Sequence, residues 1–142
     1  MTPADRAVLL DNLKTAEGYR RLLYLDTKQI WTVGYGRNMQ HVGVSEPEAA
    51  YLLNNDVTEV LAKIHGVIPD FEHIDGTRQI AFGELVVNMG AATVAKFHKM
   101  LAAVAGKNWT VAADELMASK WKDDVGPTRS SRLERMVRTG TL

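Results

Sequence analysis

The spacing of apolar positions along this chain changes twice. From residue 3 onward Val8, Leu9, Leu13 and Ala16 recur at three- and four-residue intervals, which predicts an amphipathic helix. Thr2-Pro3-Ala4-Asp5 supplies an N-cap, a proline at the first helical position and an early acid, and Gly18 is a stop just past Glu17. Over residues 22–36 the period falls to two. Trp31, Val33 and Tyr35 alternate with Thr32, Gly34 and Gly36, while Leu22-Leu23-Tyr24-Leu25 precedes and Asp26-Thr27-Lys28-Gln29 can turn between them. A hairpin is predicted. One face of its second strand is nearly bare, a pattern that marks a bulge or a close approach to the backbone.

Beyond the hairpin the pattern is helical. Ser45-Glu46-Pro47-Glu48 reads as a capping box. The helix it opens carries Ala49, Leu52, Leu53, Val57, Val60, Leu61 and Ile64 and ends at Gly66 and Pro69, long enough to join two lobes. Residues 75–90 are apolar almost all round and predict a core helix. Shorter helices are expected over 92–105, 108–119 and 127–138, punctuated by Gly106, Asn108, Gly126 and Pro127. The reading is an α+β, mainly helical fold, without internal repeats.

Composition narrows the classes. A chain of 142 residues fits one domain or two small lobes sharing a helix. The absence of cysteine excludes a disulfide scaffold, a thiolate zinc site and a cysteine nucleophile. No stretch approaches the ~20 apolar residues of a membrane span, and the N-terminal apolar run is too short for a signal-peptide core. The 17 basic and 17 acidic side chains cancel, which argues against a dedicated nucleic-acid binder. The cancellation hides a polarity: residues 1–90 hold 8 basic and 12 acidic side chains, residues 91–142 hold 9 and 5.

Three polar residues stand out around the hairpin. Glu17 sits at the C-terminal end of the first helix, where the macrodipole disfavours a carboxylate by about 0.3–1 kcal/mol. It is either an accident of the surface or an acid placed to donate a proton. Asp26 stands at the turn, where Asp commonly caps its own backbone. Thr32 lies on the bare strand face with Gly34 and Gly36. Two carboxylates with room for water between them, roughly 6.5–9.5 Å apart, form the apparatus of inverting glycoside hydrolysis.

Glu17-Gly18, Leu25-Asp26-Thr27 and Thr32-Val33-Gly34-Tyr35-Gly36 resemble the catalytic segment of the T-even phage lysozymes, glycoside hydrolase family twenty-four. The resemblance resumes at Asn88-Met89-Gly90, Val94-Ala95-Lys96-Phe97, Asn108-Trp109, Ser119-Lys120-Trp121 and Arg138-Thr139-Gly140-Thr141, in order, and covers nearly the whole chain. It implies one lysozyme domain over 1–142. A small lobe of about 17–64 holds the hairpin of 22–36. A helical lobe of about 70–142 takes in the N-terminal helix 3–16. It also implies a muramidase that cleaves the β-1,4 bond between N-acetylmuramic acid and N-acetylglucosamine, with Glu17 as general acid, Asp26 orienting or activating the attacking water and Thr32 helping to hold it. Asn88 matches a Gln that contacts substrate, and Arg129 matches an Arg that pairs with the catalytic Glu. Glu84, interrupting an apolar run, is expected to contact Arg129 in a structural role.

Several departures from the family pattern carry expectations. The stretch between Gly36 and Ser45 is short, so a helix and loop of the small lobe are expected to be missing. Arg37 replaces a usual His, so a His-based ion pair should be absent. One extra residue lies between Trp121 and Pro127. His41, His65, His73 and His98 lack ligand spacing, so no metal and no cofactor are expected. Trp31, Trp109, Trp121, Phe82 and Phe97 are expected in the core, with Tyr24 and Tyr35 left open between packing and sugar stacking.

The expected partner is a peptidoglycan strand, met by a monomer without nucleic acid or stable membrane insertion. The expected setting is a host cytoplasm, with action on the wall after release through a membrane lesion. The compact ends are those expected of an independent chain rather than a module of a tail protein. The competing expectation is a non-catalytic glycan-binding or structural relative with the same fold.

Overall fold

The computed structural model describes residues 1–142 and divides into two compact units, Met1–Tyr51 and Leu52–Leu142. The fold is α+β and mainly helical. Helix α1 (Pro3–Glu17) opens the first unit. Its capping box is complete: the Thr2 hydroxyl accepts the Asp5 amide at 3.1 Å, and Asp5 Oδ2 accepts the Thr2 amide at 3.1 Å. It stops at Gly18, whose N–H still reaches the Lys14 carbonyl at 3.1 Å and whose φ of 66° turns the chain out of the helix. The apolar stripe exists as predicted but is not buried; Val8 is 60% exposed and Leu13 47%.

Strands β1 (Arg20–Leu25), β2 (Trp31–Gly34) and β3 (Arg37–Asn38) form an antiparallel sheet in that order. Tyr24 and Leu25 pair with Thr32 and Trp31, Arg20 pairs with Gly34, and the register shifts between Arg20 and Tyr24. Thr32 pairs with Asn38 and Val33 with Arg37 on the other edge. The predicted hairpin is therefore extended by a third short strand, turned at Gly34–Gly36. Thr32, 4% exposed, is the one buried side chain of this unit. Trp31, expected in a core, is 47% exposed, because strands this short leave no enclosed apolar layer around it.

Helix α2 (Glu46–Lys63) crosses the boundary between the units. At its start Ser45 donates both its amide and its hydroxyl to Glu48 Oε2, at 2.8 and 2.7 Å, so only one half of the capping box forms. The second unit continues through 3₁₀ turns at Ile64–Gly66 and Phe71–His73 into α3 (Gly76–Met89), capped by Asp75 through the Arg78 amide. Then come α4 (Ala91–Val94), α5 (His98–Ala105), α6 (Trp109–Met117), α7 (Trp121–Val125) and α8 (Pro127–Thr139). The helix expected over 92–105 is thus two, interrupted where Phe97 leaves helical geometry at ψ 57°. The extra residue before Pro127 lies in or beside α7, which was not anticipated.

Helix α8 packs against α3, α6 and α7. The core it completes includes Phe82, Leu85, Val94, Met100, Leu116, Leu133 and Met136, all at 2% exposure or less. Phe82 and Trp121 are buried as expected, and Phe97 and Trp109 pack against that cluster. Helix α3 buries Ala81, Phe82, Leu85 and Val86 but leaves Ile80 half exposed, so it is a one-faced helix rather than an all-round core helix. Arg78 ties α3 to the end of α8. Its guanidinium donates to the carbonyls of Val137 (2.7 Å) and Arg138 (3.0 Å) and lies 4.4 Å from the Trp109 ring. Those carbonyls belong to the last turn of α8, which has no helical partners of its own for them.

Candidate active site

Three of the anticipated residues, Glu17, Asp26 and Thr32, fall in the first unit, on three consecutive elements. Glu17 closes α1. Its carboxylate is exposed, accepts no hydrogen bond and lies against the backbone of Gly36, where an added β-carbon would stand 2.7 Å from Oε2. Gly36 has φ +74°, a conformation that L side chains rarely adopt. The contact is set by the turn between β2 and β3 folding back onto the helix end. The rings of Tyr19 and Tyr35, 5.5 Å between centroids, brace the same junction. Gly34 also has φ +66°, but an added β-carbon there would meet nothing within 4 Å. The two glycines of the bare face therefore differ: one admits a close approach, the other bends the strand beside open space.

Asp26 builds the β1–β2 turn. Its Oδ1 accepts the amides of Lys28 (2.8 Å) and Ile30 (2.9 Å), as the turn reading required, while its backbone pairs with Ile30 and Gln29. Its Oδ2 accepts no hydrogen bond. Thr32 stands between the two turns on β2 and donates its hydroxyl to the Ile30 carbonyl at 3.0 Å. Its hydroxyl oxygen keeps acceptor capacity. Directly paired residues share a face of the sheet, so Tyr24 and Asn38 flank Thr32. Tyr24 is half-buried and carries the Arg20 guanidinium 4.4 Å from its ring centroid. It serves as a platform for a cation.

The remaining candidates lie in the second unit. Glu84 does pair with an arginine of α8, but the partner is Arg132 rather than Arg129. The pair is bidentate, at 3.0 and 2.6 Å. Positions 129 and 132 are one helical turn apart and share a face, so either could have met α3. The hydrogen bonds from Arg132 hold Glu84 below the usual carboxylate range, against a smaller opposing effect of burial, with the charges of Arg132 and Arg129 adding to the lowering. Glu84 is thus held as a carboxylate inside an ion pair, the wrong condition for a proton donor. Arg129 makes no ion pair and lines a cavity of about 670 Å³ with Leu53, Val57, Phe71, Ile80 and Glu84.

Asn88 closes α3 and lines a separate recess of about 470 Å³ with Phe97, Lys120 and Trp121. Its carbonyl oxygen accepts the Trp121 indole N–H at 3.0 Å. The bond fixes which way the amide points and leaves its NH₂ group free to donate outward. Sequence reasoning missed this partner, 33 positions away in the chain, and also missed Arg132, whose spacing from Arg129 was the available signal.

At the position of the family's usual His, an arginine forms the ion pair. Arg37 on β3 makes two 2.9 Å bonds to Glu48 and donates Nε to the Gly43 carbonyl. It thereby ties the short loop after β3 to the start of α2. No group of three or more His, Cys, Asp or Glu side chains is arranged to hold a metal ion.

The phage lysozyme family model matches residues 14–138. Two curated relatives are described as probable T4-type lysozymes 2 and 1 of Dictyostelium discoideum. They are 28% and 26% identical, over 94% and 93% of this chain and 95% and 94% of theirs. The pre-baseplate central spike protein Gp5 of Enterobacteria phage T4 is 25% identical over 94% of this chain but only 28% of its own length.

Proposed function

This chain belongs to the phage lysozyme family, and on that footing we propose that it is a muramidase. It hydrolyses the β-1,4 bond between N-acetylmuramic acid and N-acetylglucosamine in peptidoglycan, with inversion at the anomeric carbon. The observation that carries the reading is the state of the two carboxylates. Glu17 projects from a helix end against bare backbone with no partner, and Asp26 keeps one oxygen free on a turn that its other oxygen holds rigid.

The chemistry follows from those positions. As the general acid, Glu17 gives a proton to the glycosidic oxygen as the bond to the anomeric carbon breaks. A water held by the free oxygen of Asp26 and by the Thr32 hydroxyl adds to that carbon from the opposite face, and Asp26 takes the proton the water loses. Solvent then returns the two carboxyl groups to their starting states. Inversion requires the two carboxyl groups to stand roughly 6.5–9.5 Å apart, with that water between them.

The supporting roles are assigned by chemistry. Asn88 donates its free NH₂ to substrate, Arg129 supplies a cation, Tyr24 and the backbone at Gly34 and Gly36 shape the sugar-facing side of the sheet, and Glu84 stays structural. The substrate is met by a monomer. No helix is long and apolar enough to cross a membrane. The proposed role is host-cell lysis: synthesis in the host cytoplasm, then action on the wall after release through a membrane lesion. The excess of cations in residues 91–142 favours an anionic polymer, so activity should fall with added salt.

The deciding experiment is release of reducing ends from purified cell walls by wild type, Glu17→Gln and Asp26→Asn, with the first-formed anomer read by NMR. Activity lost in Glu17→Gln by about a thousandfold or more, with the α-anomer formed first, supports the reading. A folded wild type that releases no saccharide makes the chain a non-catalytic relative, and a β-anomer replaces inversion by retention.

A further inference from the structure

Four of the nine arginines are paired with carboxylates. Arg37 is paired with Glu48, Arg78 with Asp75, Arg132 with Glu84, and Arg138 with Asp114 and Glu134. Arg20 has neither a carboxylate partner nor a side-chain hydrogen bond, yet it is not loose. Its guanidinium carbon lies 4.4 Å from the centroid of the Tyr24 ring. Cation–π contact holds the guanidinium over the ring and leaves its N–H groups available.

The surroundings give that cation a direction. Tyr24 is the cross-strand partner of Thr32, so the ring stands on the face of the sheet that carries the proposed water-holding hydroxyl. The residue opposite Arg20 is Gly34, with no side chain and with open space where one would project. The site is a positioned, unpaired guanidinium opposite a vacant strand position, held over the ring that is paired across the sheet with Thr32. A carboxylate suits it, because the guanidinium fork matches carboxylate geometry through two parallel hydrogen bonds.

We propose that Arg20 is a specificity-determining residue that binds a carboxylate of the muramic acid unit. The inference rests on the muramidase reading above. The two sugars of the strand differ at the lactyl ether, which muramic acid carries and N-acetylglucosamine lacks. That ether ends in a carboxylate when bare, or in a peptide stem bearing acidic residues when substituted. Both sources present the same group to Arg20, and recognition of it sets which sugar lies over the sheet.

Binding is measured in a Glu17→Gln background, so that strands survive the titration. Three strands are used: peptide-free with bare lactyl carboxylates, the same strand with those carboxylates converted to methylamides, and the strand with intact stems. Arg20→Gln is expected to weaken binding of a carboxylate-bearing strand by about tenfold or more, with the methylamide strand bound equally by both proteins. Arg20→Lys should fall between, because an ammonium is a point charge without the fork. Loss on the bare strand identifies the lactyl carboxylate, and loss confined to the intact strand identifies the stem. Arg21→Gln, the neighbouring exposed arginine, should change nothing. Equal loss on the methylamide strand, or no loss on either charged strand, overturns the proposal. A wild type that cleaves none of the three removes the muramidase reading, while the same titrations still decide whether Arg20 binds the carboxylate.

Discussion

The carboxylate of Glu17 rests on the backbone of Gly36, closer than any side chain at that position would permit. The end of α1 and the β2–β3 turn are therefore coupled at one pair of residues. Gly36→Ala should drop activity on cell walls by at least tenfold, because Glu17 must swing aside and the +74° φ becomes strained, costing about 1–2 kcal/mol of stability. Gly34→Ala, with the same kind of φ but open space around it, should cost similar stability and far less activity. Wall-turbidity rates set against thermal midpoints check the contrast, and equal activity losses at the two glycines would remove the contact from the account.

Glu84→Gln should retain most of the activity, in contrast to Glu17→Gln. The variant loses half of an ion pair whose partners are partly exposed, so a stability cost of about 1 kcal/mol is expected at neutral pH. The pairing depresses the Glu84 pKa in the folded state. Its contribution is therefore present above the unfolded value of about 4.3 and fades as pH falls through the depressed value. Denaturation of wild type and variant between pH 2 and 7 should give stability curves that converge at the acid end. An activity loss matching that of Glu17→Gln, with folding intact, would make Glu84 the proton donor.

Arg37 and Glu48 form an ion pair at 2.9 Å. Bonds from Ser45 and Arg37 hold Glu48 below the usual carboxylate range, the amide and hydroxyl of Ser45 being the larger causes. Stability from this carboxylate is present above about pH 4.3 and is lost on further acidification. Arg37→His should change the window. A histidine facing Glu48 has its pKa raised by the carboxylate, so its contribution is full below about 6.5 and is lost as pH rises through the raised value. Thermal midpoints from pH 4 to 9 are expected to be flat across 5–8 for wild type and to decline over that range for the variant.

Arg78→Ala should be the most destabilising surface-proximal change in the second unit, by about 2–4 kcal/mol. It leaves two carbonyls at the end of α8 without donors, removes the stack on Trp109 and leaves Asp75 unpaired. Arg78→Lys should recover little, since one ammonium cannot serve two carbonyls and a flat ring in that geometry. Urea unfolding measures both.

Much of this was legible in the chain itself, for physical reasons that differ by region. Helix ends were readable where a local side chain satisfies them, as at Thr2, Asp75 and Asn108. Asp26 was readable because its turn is closed by its own carboxylate within four residues. The break at Phe97 left no mark, because no proline or glycine causes it. The Arg132–Glu84 and Trp121–Asn88 bonds join residues 48 and 33 positions apart, and only the packing of α8 and α7 on α3 chooses them. Burial along α1 and at Trp31 was overestimated for a related reason: periodicity shows which face is apolar, not what covers it.

Asp26 divides its two oxygens between different tasks. Two amides pin Oδ1, and with it the torsions of the whole side chain, so the free oxygen has a fixed bearing before any sugar arrives. The rotameric entropy that a mobile aspartate would surrender on binding was already surrendered when the turn formed. Folding and catalysis thus share one act of immobilisation, and a residue chosen to improve either task alone would have to satisfy the geometry of both.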